Sequence, residues 1–321
     1  MANAPVESTN LVVFDKTFYE DLANIATEYY REFGWSRMFP VNTTSIPNAK
    51  KYKKPIFGDT EGFTSNDEYD GFPDQARTSL NTRKYKLHSI LTSVIYSLDD
   101  RSKLRQFLLQ DKGEKMRAFA RQIDLTFMKG HYSKGYDSTG LGVGTKMSDG
   151  ILDQAGTVID LDGTDSALGA TGGVYAALKK MVESIPFRYR GGRECVLGMT
   201  SNFYAQANSS TFTNTAGQTE WEQFFDKLVT KGIKGWKVSP EIIISDEAFI
   251  GVGDAGGTTD DRLFIAIMDN NIVERVFSRG IAPFPVIQGR GDTTIQDWAA
   301  RCAGCVHDDE AVLYSEKITW P

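Results

Sequence analysis

The spacing of apolar residues predicts one long helix in the first half of the chain. Between residues 98 and 130 the apolar positions recur with the period of an α-helix, at Leu104, Phe107, Leu108, Met116, Phe119, Ala120, Ile123 and Phe127. Asp99 and Asp100 supply acidic charge that favours a helix start, and Gly130 ends the pattern. Gly113 interrupts the pattern and is a candidate for a bend. At about 1.5 Å per residue, such a helix crosses a whole domain.

A shorter amphipathic helix is predicted near the N-terminus, between Phe14 and Phe33. Phe14, Phe18 and Leu22 fall at helical spacing, so one face of this helix is apolar. The pattern is typical of an arm, residues 1–44, that docks through its apolar face. The docking surface is either another copy of the chain or the underside of its own long helix.

Residues 45–88 have the pattern of a long polar hairpin. Two segments, AKKYKKP and ARTSLNTRKYKLHSI, flank a stretch rich in Gly, Asp, Asn and Pro, which favour turns. The hairpin has too few apolar residues to form a core, and ordering it costs conformational entropy that buried surface must offset. We therefore expect a neighbouring copy of the chain to cover it.

The rest of the chain mixes helices with mostly antiparallel strands, which predicts an α+β fold. Helices are expected at 171–184, 201–208 and 219–231. Strands are expected at 194–199, 241–244, 262–268, 271–277, 295–301 and 311–319. The last strands are expected to return to the long helix through Trp298, Val306, Val312, Leu313 and Ile318.

The composition narrows the range of functions. The chain has 321 residues, enough for two lobes, and 36 basic against 42 acidic residues give a net charge of −6. An acidic chain is not built mainly to grip nucleic acid. No apolar run reaches the roughly 20 residues that cross a bilayer, and the N-terminus lacks the pattern of a secretory signal. We therefore expect no membrane contact. Three cysteines are too few for a disulfide framework, which fits assembly in a reducing cytoplasm.

One motif allows an enzymatic alternative. In VIDLDGTD, Asp160 and Asp162 are spaced like the nucleophile and the acid/base of haloacid dehalogenase-like phosphatases, which use magnesium. The strand before Asp160 would hold only residues 157–159, too short for a buried parallel strand. Asp and Gly are also the residues that turns favour, so a polar turn is the better interpretation.

Two other motifs suggest a metal or a cofactor only weakly. Cys302 and Cys305, with His307 nearby, make a partial zinc pattern, but a structural zinc needs four ligands. Two small buried residues that flank a turn are the better interpretation. Residues 251–256 spell a dinucleotide fingerprint without the helix that must follow it, which favours a surface loop. We therefore predict no metal, no cofactor and no catalytic residue.

The order of these parts resembles the major capsid proteins of tailed double-stranded DNA viruses, of the Hong Kong 97-type fold, and nearest the branch related to encapsulin shells. RAFARQIDLTFMKG (117–130) resembles the end of that family's spine helix, and SDGILDQ (148–154) is similar to the loop that enters its A domain. Residues 177–206 look like the A-domain helix, strand and next helix start. Residues 261–318 resemble the family's C-terminal run, with a strand pair, a Pro-containing stretch and a terminal strand.

The resemblance implies a chain of five parts. They are an N-terminal arm (1–44), an extended hairpin loop (45–88), a P domain (89–147) with the spine helix at 98–130, an A domain (148–285), and C-terminal strands that return to the P domain (286–321). It also implies a function: self-assembly into hexamers and pentamers of an icosahedral bacteriophage capsid around double-stranded DNA, bound without sequence specificity. Scaffolding, portal and decoration proteins are the further expected partners, and the virion is the expected location. An encapsulin-like compartment is the alternative.

Several residues are expected to make contacts between subunits. In the extended loop they are Lys50, Lys51, Lys53, Lys54, Arg83 and Lys84, facing acidic residues of another copy such as Asp67, Glu68 and Asp70. A solvated loop and contact with nucleic acid are the alternatives for these basic residues. A loop with Gly253, Asp254 and Gly256 is expected near the capsomer axis.

Overall fold

The fold was derived from a computed structural model of the chain. The structure describes residues 17–29, 35–57, 80–96, 105–130, 148–155, 157–159, 173–189, 194–209, 217–228, 232, 241–246, 261–285, 287–288, 293–315 and 318. These residues form two five-stranded sheets, a two-stranded hairpin and several helices, so the predicted α+β class is confirmed. None of the helices in these ranges is long and apolar enough to cross a membrane.

The two N-terminal helices pack against each other. Helix α1 covers residues 17–29, and helix α2 is Arg105–Lys129, inside the predicted long helix. Helix α2 is continuous through Gly113, where the sequence suggested a bend. Ile25 of α1 lies over this glycine, with its Cδ1 3.4 Å from the place that a Cβ would take. Gly113 therefore lets α1 approach α2 closely.

The first sheet is built around the long strand β11. Its strands are β1 (Val41–Thr43), β4 (His88–Tyr96), β9 (Val273–Pro283), β10 (Ile287–Gln288) and β11 (Thr294–Val306). Strand β11 pairs antiparallel with β4 on one side and with β9 and β10 on the other, and β1 runs parallel to β9. Side chains alternate along a strand, so Trp298, Ala300 and Cys302 pack on α2. The residues between them lie on the opposite side, the outer face of this sheet.

The second sheet forms the larger core of the chain. Its strands, in spatial order, are β5 (Thr157–Ile159), β12 (Val312–Ser315), β8 (Leu263–Ile267), β6 (Cys195–Met199) and β7 (Glu241–Ile244). It shares its core with helices α3 (Gly173–Ser184), α4 (Ser201–Ala207) and α5 (Glu220–Asp226). Short 3₁₀ turns occupy Trp35–Met38, Leu152–Gln154, Phe187–Tyr189 and Asp309–Ala311. Strand β8 runs antiparallel to both neighbours, whereas the two outer pairings are parallel.

The sheets divide the C-terminal strands differently from the prediction. Trp298 packs on α2 as expected, but Val312 and Leu313 of β12 belong to the core of the second sheet. All four residues of β12 are buried, so both faces of this strand must be covered by other elements. The middle of the second sheet provides that cover. Strands β8 and β9, expected as a pair, lie in different sheets, and β9 continues to Pro283.

Three backbone segments meet where β11 crosses the end of α2. The Ile151 N–H donates to the carbonyl of Phe127 (2.8 Å), and the Gly304 N–H donates to the carbonyl of Asp149 (2.9 Å). Gln154 Nε2 donates to the carbonyl of Gly304 at 2.7 Å. A Cβ on Gly304 would overlap the carbonyl oxygen of Phe127 and lie 2.8 Å from Ile151 Cγ1. Backbone lies on both sides of this collision, so the crossing requires glycine.

Gly304→Ala is expected to lower the free energy of unfolding by about 3 kcal/mol, the upper part of the range for overpacking, because backbone must move to admit the methyl group. Chemical denaturation of the purified chain, followed by tryptophan fluorescence, measures the change. Gly280→Ala is the matched control in the same sheet, since nothing lies within 4 Å of its Cβ position. Equal losses for the two variants would contradict the close crossing.

Candidate functional site

The hairpin predicted within residues 45–88 is present as two antiparallel strands. They are β2 (Lys51–Phe57) and β3 (Leu80–Lys86). One face, the inner face, turns toward the first sheet and carries two cross-strand pairs, Tyr52 with Tyr85 and Lys54 with Arg83. The opposite face, the lysine face, carries the exposed residues Lys51, Lys53, Lys84 and Lys86.

The inner face is held by one buried carboxylate, Glu274 of β9. Tyr52 donates a hydrogen bond to its Oε1 (2.8 Å), Asn42 Nδ2 donates to its Oε2 (3.2 Å), and Lys54 Nζ forms an ion pair with Oε1 (3.3 Å). His307 Nε2 lies 2.8 Å from the same Oε1. Glu274 is only 2% exposed. Burying a carboxylate is costly unless such partners replace its water.

His307 joins the second hairpin strand to the same carboxylate. Its Nδ1 lies 2.7 Å from the hydroxyl of Tyr85, which also lies 2.6 Å from the carbonyl of Val306. An ionised carboxylate only accepts, so His307 Nε2 carries the proton that Glu274 receives. In the neutral ring Nδ1 is then an acceptor, and Tyr85 shares its single hydroxyl proton between Nδ1 and the carbonyl of Val306. Arg83 Nη1 donates to the carbonyl of His307 at 3.2 Å.

Together these side chains form the root network, which fastens the hairpin to the first sheet. Its members are Asn42, Tyr52, Lys54, Arg83, Tyr85, Glu274 and His307. The rings of Tyr52 and Tyr85 stack at 6.1 Å, and Tyr85 also packs in a small core with Val276, Ala303 and Cys305. Both strands of the hairpin are therefore bonded to the body of the protein.

Burial and nearby charge shift the protonation equilibria of the root network. Burial raises the pKa of Glu274, but hydrogen bonds from His307 and Tyr52 and the charge of Lys54 outweigh it, so the pKa lies below its ordinary value. Burial lowers the pKa of His307, and its hydrogen bond to Glu274 opposes the shift only in part. At neutral pH the network thus contains an ionised Glu274 and a neutral His307.

The next residue of β9, Arg275, fastens the connector between α1 and β1. Its Nε donates to the carbonyl of Phe39 (2.8 Å), and its Nη2 donates to the carbonyl of Arg37 (3.3 Å). In the same connector the Ser36 N–H donates to Asp124 Oδ1 of α2 (2.8 Å). Neighbouring residues of a strand point to opposite faces, so β9 holds the hairpin on one side and the connector on the other.

The structure describes six of the residues predicted to contact other subunits, and it divides these six into two groups. Lys54 and Arg83 are bonded within the chain, in the root network. Four others are exposed: Lys50, Lys51, Lys53 and Lys84. The remaining ones lie outside the described residues: Asp67, Glu68 and Asp70 of the hairpin, and Gly253, Asp254 and Gly256 of the predicted axial loop. Contact with other subunits remains a prediction for all of them.

Two of the predicted arm residues are buried within the chain. Phe18 and Leu22 pack in one core with Met116 and Phe119 of α2, and the ring of Phe18 lies 5.4 Å from that of Tyr96. This arrangement corresponds to the second predicted docking surface, the chain's own long helix. Phe14 lies outside the described residues.

The two C-terminal cysteines point to opposite faces of the first sheet. Cys302 packs in the core with α2, and Cys305 packs beneath Tyr85. Gly304 continues strand β11, so the predicted turn between the cysteines is wrong. Burial raises the pKa of both thiols and keeps them protonated. Within the described ranges, no group of three or more His, Cys, Asp or Glu side chains is placed to hold a metal ion.

Among the described residues, the outer face of the first sheet is covered by the hairpin at one end and exposed farther along. Ile95, Ile295 and Ile287 lie side by side across three strands of its bare part. Several large side chains there are strongly exposed, with Leu91 at 65%, Ile95 at 50% and Ile287 at 53%. We call this surface the apolar strip; its residues are Leu91, Ile95, Phe284 and Ile287.

Comparison with solved structures identifies the fold. The capsid of Myoviridae phage XM1 matches with a TM-score of 0.59 at 14% identity, over 88% of this chain and 90% of that one. The capsid of a native GTA particle matches with a TM-score of 0.57 at 12% identity, over 89% and 90%. A virus-like particle from Pyrococcus furiosus matches with a TM-score of 0.52 at 9% identity, over 92% and 98%. No family model and no curated protein matches the sequence.

The class defined by this comparison is the Hong Kong 97-type capsid fold. The likeness runs through nearly the whole chain, which confirms the resemblance seen in the order of parts. At these identities it establishes the fold and leaves the function to be argued from the surfaces described above.

Glu274→Ala is expected to release the hairpin from the first sheet. The change leaves the root network without its common acceptor, and removing one partner of a buried charged pair typically costs about 3–5 kcal/mol. Hydrogen exchange of the amides in β2 and β3, relative to those of β12, measures the release. Glu274→Gln keeps the shape and one acceptor oxygen, so the amides of β2 and β3 should lose less protection than in Glu274→Ala. Equal hairpin protection in the wild type and both variants would contradict the role of the carboxylate.

Acid is expected to weaken the hairpin through the same two groups. The folded pKa of His307 is depressed, so its contribution is complete above the unfolded value of about 6.5 and is lost as the pH falls below it. The folded pKa of Glu274 is also depressed, so its contribution is lost at lower pH, below the unfolded value of about 4.3. Protection factors of the β2 and β3 amides, followed from neutral pH downward, test this. His307→Gln should remove the first phase and keep the second, and an unchanged profile would contradict the assignment.

Proposed function

We propose that this chain is the major capsid protein of a tailed double-stranded DNA virus. In this proposal the subunit self-assembles through hexamers and pentamers into an icosahedral shell around the viral DNA. The observation that carries the proposal is the Hong Kong 97-type fold over nearly the whole chain, combined with surfaces that a single copy leaves uncovered. Each subunit of a closed shell must offer several such surfaces to its neighbours.

The hairpin supports a shell function. Its strands form a two-stranded ribbon, and such a ribbon is marginally stable by itself. The root network anchors one end of this ribbon with hydrogen bonds to both strands. An anchored extension without a core is suited to reaching over a neighbour, where the neighbour supplies the missing burial.

The apolar strip gives a second argument for contact between copies. Fully burying a Leu or Ile side chain contributes about 1.5–3 kcal/mol relative to exposure. Leu91, Ile95 and Ile287 lie on the same face of the sheet, beside Phe284. We propose that another copy of the chain covers this face in the shell.

The five-part organisation belongs to the same proposal, with its boundaries adjusted to the sheets. Strand β9 counts with the first sheet and the P domain, and β12 counts with the second sheet and the A domain. Scaffolding, portal and decoration proteins are the proposed further partners, and the virion is the proposed location.

An encapsulin-like compartment is the second candidate. The match to a virus-like particle from Pyrococcus furiosus, over 98% of that chain, favours it. The contents of purified shells distinguish the two candidates. Nuclease-protected double-stranded DNA in shells from the native source supports the virus, whereas a co-purified cargo enzyme without DNA supports the compartment.

The phosphatase alternative finds little support in the second sheet. Asp160 and Asp162 lie outside the described residues, and β5 before them has three residues and, among the described strands, pairs with β12 alone. A doubly wound sheet is mostly parallel, with strands and helices alternating regularly. Here the central strand β8 runs antiparallel to both neighbours.

Assembly is the first measurement. The chain, expressed alone, is expected to form rings or shells of megadalton mass, seen by light scattering and negative-stain microscopy. Leu91→Asp with Ile95→Asp should lower the yield of assembled particles about ten-fold or more, because each interface would bury unpaired charge.

The control for this pair of substitutions is Phe187→Ser. Phe187 is 77% exposed, but it lies in the 3₁₀ turn after α3 and not on the first sheet. It should assemble like the wild type. Circular dichroism must show that all three proteins are folded. Normal assembly of the Leu91/Ile95 variant would contradict a role for the apolar strip.

A further inference from the structure

The lysine face of the hairpin is a single row of like charges. The register places Lys51 directly opposite Lys86 and Lys53 directly opposite Lys84. Alternate residues of a strand share a face, so all four ammonium groups project from the same side of the ribbon. All four side chains are exposed.

None of these four lysines forms an ion pair with a carboxylate in the part of the chain that the structure describes. The carboxylate of Asp149 approaches β3, but its Oδ2 accepts from the backbone N–H of Lys86 (2.8 Å). Glu274 lies on the inner face, where Lys54 already pairs with it. Like charges placed directly across a strand pair destabilise it. The lysine face is therefore built at a cost that an acidic partner would remove.

The chain itself contains a segment with the complementary chemistry. Residues 58–79, between the two hairpin strands, hold six acidic residues against the single basic residue Arg77. They also hold three aromatic side chains, which can pack against the methylene stems of lysines. The acidic residues are Asp59, Glu61, Asp67, Glu68, Asp70 and Asp74. No other segment is needed to neutralise the row.

A second copy supplies this segment more directly than the same chain. Residues 58–79 leave the ribbon at Phe57 and Leu80, the end opposite to Lys51 and Lys86. At about 3.4 Å per residue, that end lies roughly 20 Å from the far lysine pair, so the chain's own segment would have to turn back along the whole ribbon. A neighbouring copy has no such constraint.

We propose that the lysine face binds the acidic segment 58–79 of a second copy, so that hairpins of neighbouring subunits join through charge complementarity. The inference rests on the proposed shell function, because only repeated copies bring one hairpin to the next. It names the partner of the hairpin as a segment of a second copy of this chain. Complementary charge across an interface sets which partners bind and in which register.

A charge exchange between copies tests the proposal. The first variant reverses the row with Lys51→Glu, Lys53→Glu, Lys84→Glu and Lys86→Glu. The second reverses the acidic segment with Asp67→Lys, Glu68→Lys and Asp70→Lys. Each variant alone is expected to lose assembly about ten-fold or more, because like charges then face each other. An equimolar mixture is expected to recover association into dimers and hexamers, in which the two variants can alternate, since each variant carries what the other needs. Sedimentation velocity measures association from dimers to shells.

The outcomes separate the possible partners. Recovery in the mixture supports binding between copies. A single chain that carries both reversals and assembles, while the mixture does not, would show contact within one chain and overturn the proposal. Loss in the first variant alone, without rescue by either combination, would point to nucleic acid and also overturn it. Normal assembly of both variants would remove the lysine face from the interface.

One further outcome distinguishes this inference from the proposed function. A wild-type chain that stays monomeric under all conditions, including with its own virion proteins present, would overturn the shell function and the inference together. A wild type that forms shells, with variants that form them equally well, would overturn the inference alone. Circular dichroism of both variants checks that a loss of assembly does not reflect unfolding.

Discussion

Two adjacent buried charges on strand β9 fasten the hairpin and the connector after α1 to the first sheet. Glu274 and Arg275 are 2% and 5% exposed, and they point to opposite faces of the first sheet. Glu274 binds both strands of the hairpin through its partners, and Arg275 binds the connector that follows α1. A buried charge is tolerated only when fully partnered, so these segments have one well-defined position on the sheet.

This arrangement explains how a weakly apolar extension is positioned with precision. A two-stranded ribbon gains little from its own contacts, and the fixed end of the hairpin is therefore an electrostatic and hydrogen-bonded joint. Directional bonds restrict the angle at which the hairpin leaves the sheet, whereas apolar packing alone would allow it to slide. His307 and Glu274 are the titratable members of the joint, and burial together with their mutual hydrogen bond sets the pKa of each.

The two faces of the hairpin have divided roles because of its register. Tyr52 and Tyr85 pair on the inner face, and the flanking lysines therefore must lie together on the other one. The same alternation determines which of the predicted contact residues are bonded within the subunit and which are exposed. Lys54 and Arg83, one step along from exposed neighbours, are already bonded inside the subunit. Composition alone counts these cations as one basic cluster, although they belong to opposite surfaces.

The sequence by itself determined the elements whose signal is local. Periodicity gave the long helix, alternation and turn residues gave the hairpin, and their order indicated a capsid fold. The tertiary structure alone decided the sheet to which β9 and β12 belong, the crossing at Gly304, and the union of Glu274 with His307. Charged residues within the apolar run NIVERVF were the one local signal of that union. Their partners are more than 30 residues away along the chain, because hydrogen bonds between strands depend on proximity in space and leave no period in the sequence.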